Sequence, residues 1–283
     1  EICIEANPES VARNKIRAWK RVGVNRVSLG IQSFDDKTLC LLGRKHDSAT
    51  ARNAFNLLRE EGFGNINFDL IFGFLPNENW ESTLEEAMRL NPEHISTYAF
   101  TLKEETPMYR KAGKGEIEIA GDEVQAERYN FTSNFLKENG YFHYEISNFS
   151  KKGFQCVHNL SYWRNEYYLG LGVGAHSHLE GRRFANHNSL ERYIEDLREG
   201  KRPLAFEEKL TPEEELREKI IMGFRLSEGL EKRLIRSCGE KSLIFLQRIE
   251  KLKKKGLIGE SEKAYFIPEK YFFVSNSILR EIV

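Results

Sequence analysis

Across residues 1–105, short runs rich in β-branched side chains alternate with longer stretches whose apolar positions recur every three or four residues. The runs at 2–5, 26–31, 66–72 and 94–100 predict strands. Those at 8–21, 48–61 and 80–90, with Glu and Lys on the opposite face, predict amphipathic helices. Gly23 and Gly62 follow the first two helical stretches, where a C-cap needs a residue that tolerates the left-handed conformation. Strands that alternate with helices imply parallel pairing through right-handed crossovers, hence an α/β sheet or barrel.

Past Leu102 the pattern changes. KEETPMYRKAGKGE is polar and glycine-containing and predicts a long loop; 122–139 predicts one amphipathic helix. Strand or loop pieces follow at 141–147, 169–174 and RRFANHN. From Thr211 two further helical stretches, EEELREKIIMGFRL and SLIFLQRIEKLKKKG, precede a β-like pair, GLIGES and AYFIPEK, and a last helix. Helices followed by a two-stranded wing predict a small α+β, winged-helix-like domain. The chain thus divides into 1–105, 106–205 and 206–283.

Charge narrows the function. Lys plus Arg equals Asp plus Glu, 43 each, which argues against nucleic acid as a partner, since phosphate recognition draws on a basic surface. KLKKK at 251–255 reads as the solvated end of a helix. Neither an apolar run long enough to span a bilayer nor a basic-then-apolar leader is present, so a cytoplasmic protein without a transmembrane segment is expected. Cys3, Cys40, Cys156 and Cys238 lack CxxC or CxxxC spacing and read as reduced thiols.

In parallel α/β barrels the chemistry gathers at the C-terminal strand ends. Glu5, Gln32, Ser33, Asp69 and the 97–101 stretch stand there, and Arg44 of LGRKH lies in a nearby loop. A carboxylate at Glu5 suits an ammonium group, Arg44 suits a carboxylate, and Asp69 suits ribose hydroxyls or an amine. As a set they fit a zwitterionic nucleoside; singly, each also reads as a strand-end cap or ion-pair partner. Asp35, Asp36 and Asp47 read as helix caps. A second constellation is HNLSYWRNEYYL at 158–169, running into GLGVGAHS. It reads either as a pocket for a large flat ligand or as a structural aromatic cluster.

The segments IEANPES, VNRVSLGIQSFDDKTLCLLGRKH, FDLIFGFLP, NPEHISTYAFTLKEETP, YEISNFS, HNLSYW and YLGLGVGAHS together resemble the radical S-adenosylmethionine proteins related to oxygen-independent coproporphyrinogen III oxidase. Within that group, HNLSYW is most similar to the HNxxYW motif of the haem-chaperone branch. The resemblance runs along essentially the whole chain. It implies a partial (β/α)6 barrel, here lacking its first two strands, followed by the winged-helix-like domain.

It further implies that Glu5, Gln32, Arg44 and Asp69 bind S-adenosylmethionine. The [4Fe–4S] ligands, a CxxxCxxC loop, are expected upstream of residue 1. On the same resemblance His158 is a candidate haem iron ligand, with Tyr162, Trp163, Tyr167 and Tyr168 as walls, Gly170, Gly172 and Gly174 admitting close approach, and His176 and His178 as alternative ligands. GFLPNENW departs from the family's GLPxQT pattern, which puts that loop's part in the cofactor pocket in question. Two activities follow: a chaperone that passes haem to a respiratory acceptor, or an oxidase that decarboxylates coproporphyrinogen III through a 5′-deoxyadenosyl radical. A third expectation is a poorly folding fragment whose first strand is an exposed edge.

Overall fold

The computed structural model describes residues 1–236 and 242–283; Cys238 lies outside them. Two compact units, Glu1–Gln155 and Cys156–Val283, divide the chain. In the first, β1 (Cys3–Ala6), β2 (Arg26–Gln32), β3 (Ile66–Phe72) and β4 (His94–Ala99) pair in parallel. The hairpin β5 (Phe142–Glu145) and β6 (Asn148–Ser150) completes a six-stranded sheet in the order β1-β2-β3-β4-β6-β5. Crossovers run through α1 (Arg13–Arg21), α2 (Asp36–Leu41), α3 (Ser48–Glu60) and α4 (Trp80–Leu90); α5 (Pro107–Gly113) and α6 (Asp122–Glu138) precede the hairpin.

Alternation along the strands gives the sheet two unlike faces. Leu29, Phe68, Ile95 and Phe149 are cross-strand partners and all fully buried. They face the helices: Phe55 of α3 meets Phe68 edge-on at 5.2 Å, while Trp80 of α4 and Tyr129 of α6 lie against Phe72. The other row runs Glu5, Ser28, Asn67, His94 and Ser150, with Asp69, Ser96 and Asn148 one step along. A parallel sheet covered by helices on both faces is apolar throughout. Here one face is polar, and apart from Glu5 and the half-buried Asp69 its residues are buried.

The expected caps form. Asp35 accepts from the Thr38 N–H at 2.7 Å and Asp47 from Thr50 at 2.8 Å; Asp36 reaches forward to accept from Ser48 at 2.7 Å. Gly23 and Gly62 have φ of 88° and 82°. The stretch expected as one long loop after Leu102 instead contains α5. Its sequence hides the helix because α5 buries none of its residues, and its start is set by the Thr106 cap and Pro107 at the first turn.

The second unit opens with α7 (Val157–Trp163) and the antiparallel sheet β7 (His176–Leu179), β8 (Arg182–Asn186), β9 (Leu204–Lys209), with α8 (Leu190–Arg198) between β8 and β9. It continues through α9 (Pro212–Gly223), β10 (Leu230–Glu231), α10 (Lys232–Arg236), α11 (Leu243–Lys254), β11 (Gly259–Glu260), β12 (Ala264–Phe266) and α12 (Ser275–Arg280). The sheet here has three strands, β10-β12-β11, one more than the expected wing, because the two residues of β10 pair with β12. In KLKKK, Lys253 pairs with Glu250 and Glu260, and Lys255 with Glu281, so two of its four lysines are matched within the unit.

Candidate functional site

In the first unit the polar face converges on Asp69. Its carboxylate accepts from the Ser28 hydroxyl at 2.8 Å and the Asn67 amide nitrogen at 2.8 Å. Burial pushes its pKa up, against the hydrogen bonds from Ser28, Asn67 and Ser96, and the negative charge of Glu5 adds to the rise. Tyr98, on the same face of β4, is pushed up to about 12, first by burial and then by Asp69. Glu5 is exposed and makes no ion pair among the described residues, so the mouth of this face carries an uncompensated carboxylate.

Gln32 sits at the end of β2 in the left-handed region, φ 68°, where the register between β2 and β3 breaks. A non-glycine residue is strained there, and such strain gathers at functional positions. Gly30 beside it is tightly surrounded: a Cβ would stand 3.0 Å from the Gln32 side-chain amide and 3.2 Å from that of Asn7. The ends of β1 and β2 therefore meet closely. Arg44, in the loop after α2, is half-buried and unpaired among the described residues. His46 anchors that loop, its Nε2–H donating to the Ile31 carbonyl at 3.0 Å and its Nδ1 lying 3.2 Å from the Glu9 carboxylate.

The GFLPNENW turn is closed on itself. The Glu78 carboxylate accepts from the backbone N–H groups of Gly73, Phe74 and Leu75, at 2.5, 3.0 and 3.3 Å, and from Arg128 at 2.7 Å. Arg128 also donates to the carbonyls of Leu75 and Pro76. The three N–H groups of this turn are thus occupied by the chain's own carboxylate.

In the second unit α7 carries HNLSYW. His158 is exposed, and the ring of Tyr162, one turn on, meets it edge-to-face at 4.6 Å. Tyr162 meets Tyr168 at 4.5 Å, and Tyr167 and Tyr168 both flank the buried His178. The Arg225 guanidinium lies 5.4 Å from the centre of the half-buried Trp163 ring. Tyr168 is held in the fold by its hydroxyl, which accepts from Arg183 at 2.9 Å, and Arg183 is clamped by Glu218.

Gly170 also serves the fold. A Cβ there would lie 2.1 Å from the His176 carbonyl oxygen, so the close approach at Gly170 is made by the chain's own backbone. Gly172 has nothing within 4 Å of a Cβ, and Gly174 only Asn188. What the run exposes is apolar: Tyr167, Leu169, Leu171 and Val173 are 60, 61, 83 and 41% accessible.

The side chains of the first unit match a zwitterionic nucleoside: a carboxylate and a guanidinium without ion-pair partners among the described residues, and the half-buried acceptor Asp69. They do not match an iron–sulfur cluster. Cys3, Cys40 and Cys156 are in no disulfide, and no group of His, Cys, Asp or Glu among the described residues is placed to hold a metal. Among the described residues, no helix is long and apolar enough to cross a membrane.

Glu5, Gln32, Arg44 and Asp69 stand out in the sequence, whereas Ser28, Asn67, His94 and Ser96 do not. The signal of the second set is nonetheless there, as the alternation of polar with apolar residues in VSL and INFDL and at the start of HISTY.

Known proteins resemble this chain along most of its length. Residues 1–90 match the Radical SAM superfamily model. The chain is 34% identical over 283 residues to the heme chaperone HemW of Bacillus subtilis, covering 98% of itself and 74% of that protein. It is 35% identical over 236 residues to HemW of Synechocystis, covering 81% of itself and 57% of that protein. Coproporphyrinogen III oxidase (HemN) from Escherichia coli, a solved radical SAM enzyme, superposes with a TM-score of 0.80 at 23% identity, over all of this chain and 69% of that one.

Proposed function

Because the chain belongs to the HemW family of radical S-adenosylmethionine proteins, we propose that it binds haem and passes it to a respiratory acceptor protein. The observation that carries this reading is the exposed imidazole of His158 on α7, one turn before Tyr162. Tyr162 in turn touches Tyr168, whose neighbours Tyr167, Leu169, Leu171 and Val173 leave apolar surface open to solvent. A macrocycle needs an axial donor and apolar walls. His158 supplies the first, and Tyr162 and Trp163 belong to the second.

In the first unit Glu5, Gln32, Arg44 and Asp69 hold S-adenosylmethionine. Arg44 pairs with its carboxylate, Glu5 with its ammonium group, and Asp69 accepts from ribose hydroxyls. When bound to a reduced [4Fe–4S] cluster, that cofactor would supply a 5′-deoxyadenosyl radical; the cluster ligands are not among the described residues. The shared fold of coproporphyrinogen III oxidase carries no activity over to this chain.

The test is direct. Mixed with haem, the full chain gives a shifted Soret band that His158→Ala weakens. A wild-type chain that leaves the spectrum of free haem unchanged overturns the proposal.

A further inference from the structure

Within the polar sheet face, Ser28, Asn67, His94 and Ser96, with Tyr144, form a chain of hydrogen bonds that ends on Asp69. A carboxylate only accepts, so the Asn67 amide must turn its NH₂ toward Asp69, and that nitrogen also lies 2.6 Å from the Ser28 hydroxyl. Asn67 Oδ1 then faces His94 Nδ1 at 2.5 Å, which must donate to it, and the Ser96 hydroxyl at 3.2 Å, whose one proton serves either Asn67 or Asp69. With Nδ1 protonated, His94 Nε2 is left as the acceptor of the Tyr144 hydroxyl at 2.8 Å. Against the Asp69 carboxylate Asn67 and His94 each have one workable orientation, and the members come from β2, β3, β4 and β5. His94 is fully buried and its pKa is held well below the ordinary value by desolvation and the nearby Arg26, so the ring stays neutral.

We propose that His94, as the neutral Nδ1–H tautomer, is a positioning residue that locks the Asn67 amide and through it aims the Asp69 carboxylate at the hydroxyls of a bound nucleoside. The inference rests on the reading of Asp69 as a cofactor ligand. His94 touches no ligand itself. Its work is to prevent the Asn67 amide from turning over, which would set two acceptors against each other and leave Asp69 short of a donor. Around Asp69, Glu5 from β1 also bears on its ionisation, while Asp69 itself and Glu145 from β5 bear on that of Tyr98 on β4, so loss of an aligned donor moves Asp69 toward its protonated form.

The experiment uses the full chain and S-adenosylhomocysteine, which carries the nucleoside and amino-acid parts and needs no cluster. Calorimetric titration from about pH 8 down to about pH 5 is expected to show wild-type binding. His94→Leu is expected to bind roughly tenfold more weakly, the scale of one oriented hydrogen bond, with the acid limb of its binding profile moved upward. His94→Asn, whose amide nitrogen stands where Nδ1 stood, is expected to recover affinity to within about threefold.

Nitrogen-15 spectra of histidine in the wild-type chain, which depend on no variant's folding, are expected to show His94 as the neutral Nδ1–H form. The Nε2–H form overturns the proposal. So does His94→Leu binding as tightly as wild type with an unmoved acid limb. A wild-type chain that shows the expected tautomer yet does not bind S-adenosylhomocysteine refutes instead the cofactor reading, and the proposed role of His94 with it.

Discussion

Individual residues in the motifs divide between fold and ligand, and the division follows what each side chain touches. In HNLSYWRNEYYL the exposed His158 faces solvent beside Tyr162, whereas Tyr168 is tied by its hydroxyl to the Arg183–Glu218 pair. Gly170 belongs with Tyr168. Its missing side chain makes room for the His176 carbonyl, so Gly170→Ala is expected to cost about 1–3 kcal/mol, the range of an overpacked site, in urea unfolding. Gly172, with nothing within 4 Å of a Cβ, has no such contact to lose, although its φ of 104° still disfavours a side chain. Three glycines spaced alike in sequence thus differ in role, and only their surroundings tell them apart.

At the scale of elements, the strands and helices of the first unit were legible because each carries its own period. The polar-apolar alternation of INFDL, with the apolar run that ends it, and the Asp caps place β3, α2 and α3 without reference to anything distant. Elements without a period of their own stayed hidden. α5 buries nothing, and β9 is almost wholly exposed, held in register by β8 rather than by a buried face of its own. The GFLPNENW turn was legible as a departure from the family pattern but not as a structure, since its organiser Arg128 lies 50 residues from Glu78. Glu78→Ala is expected to release this turn. Hydrogen exchange at the Gly73, Phe74 and Leu75 amides is the measurement, and faster exchange there than in β3 is the result expected.

For the molecule as a whole, buried histidines set a pH dependence. His94 in one unit and His178 in the other both have depressed pKa values, chiefly from desolvation. Their unfolded forms take up a proton near about pH 6.5 while the folded forms do not. The unfolded state therefore binds more protons below that point, and stability is lost as pH falls. Thermal unfolding is expected to show a melting temperature that declines from about pH 7 to about pH 5. His94→Gln, which removes one of these groups, is expected to flatten the decline; an unchanged slope contradicts this account. The sequence by itself determined the α/β alternation, the caps and the family, and singled out Glu5, Gln32, Arg44, Asp69 and His158 as candidates, because periodicity and motif order are local properties of the chain. Only the tertiary structure decided that Ser28, Asn67, His94 and Tyr144 form one chain of hydrogen bonds ending on Asp69. The links from Asn67 to Ser28 and His94 cross 39 and 27 positions, and that from His94 to Tyr144 crosses 50. Parallel register, set by packing the apolar face against the helices, is what brings such distant polar residues onto one buried face.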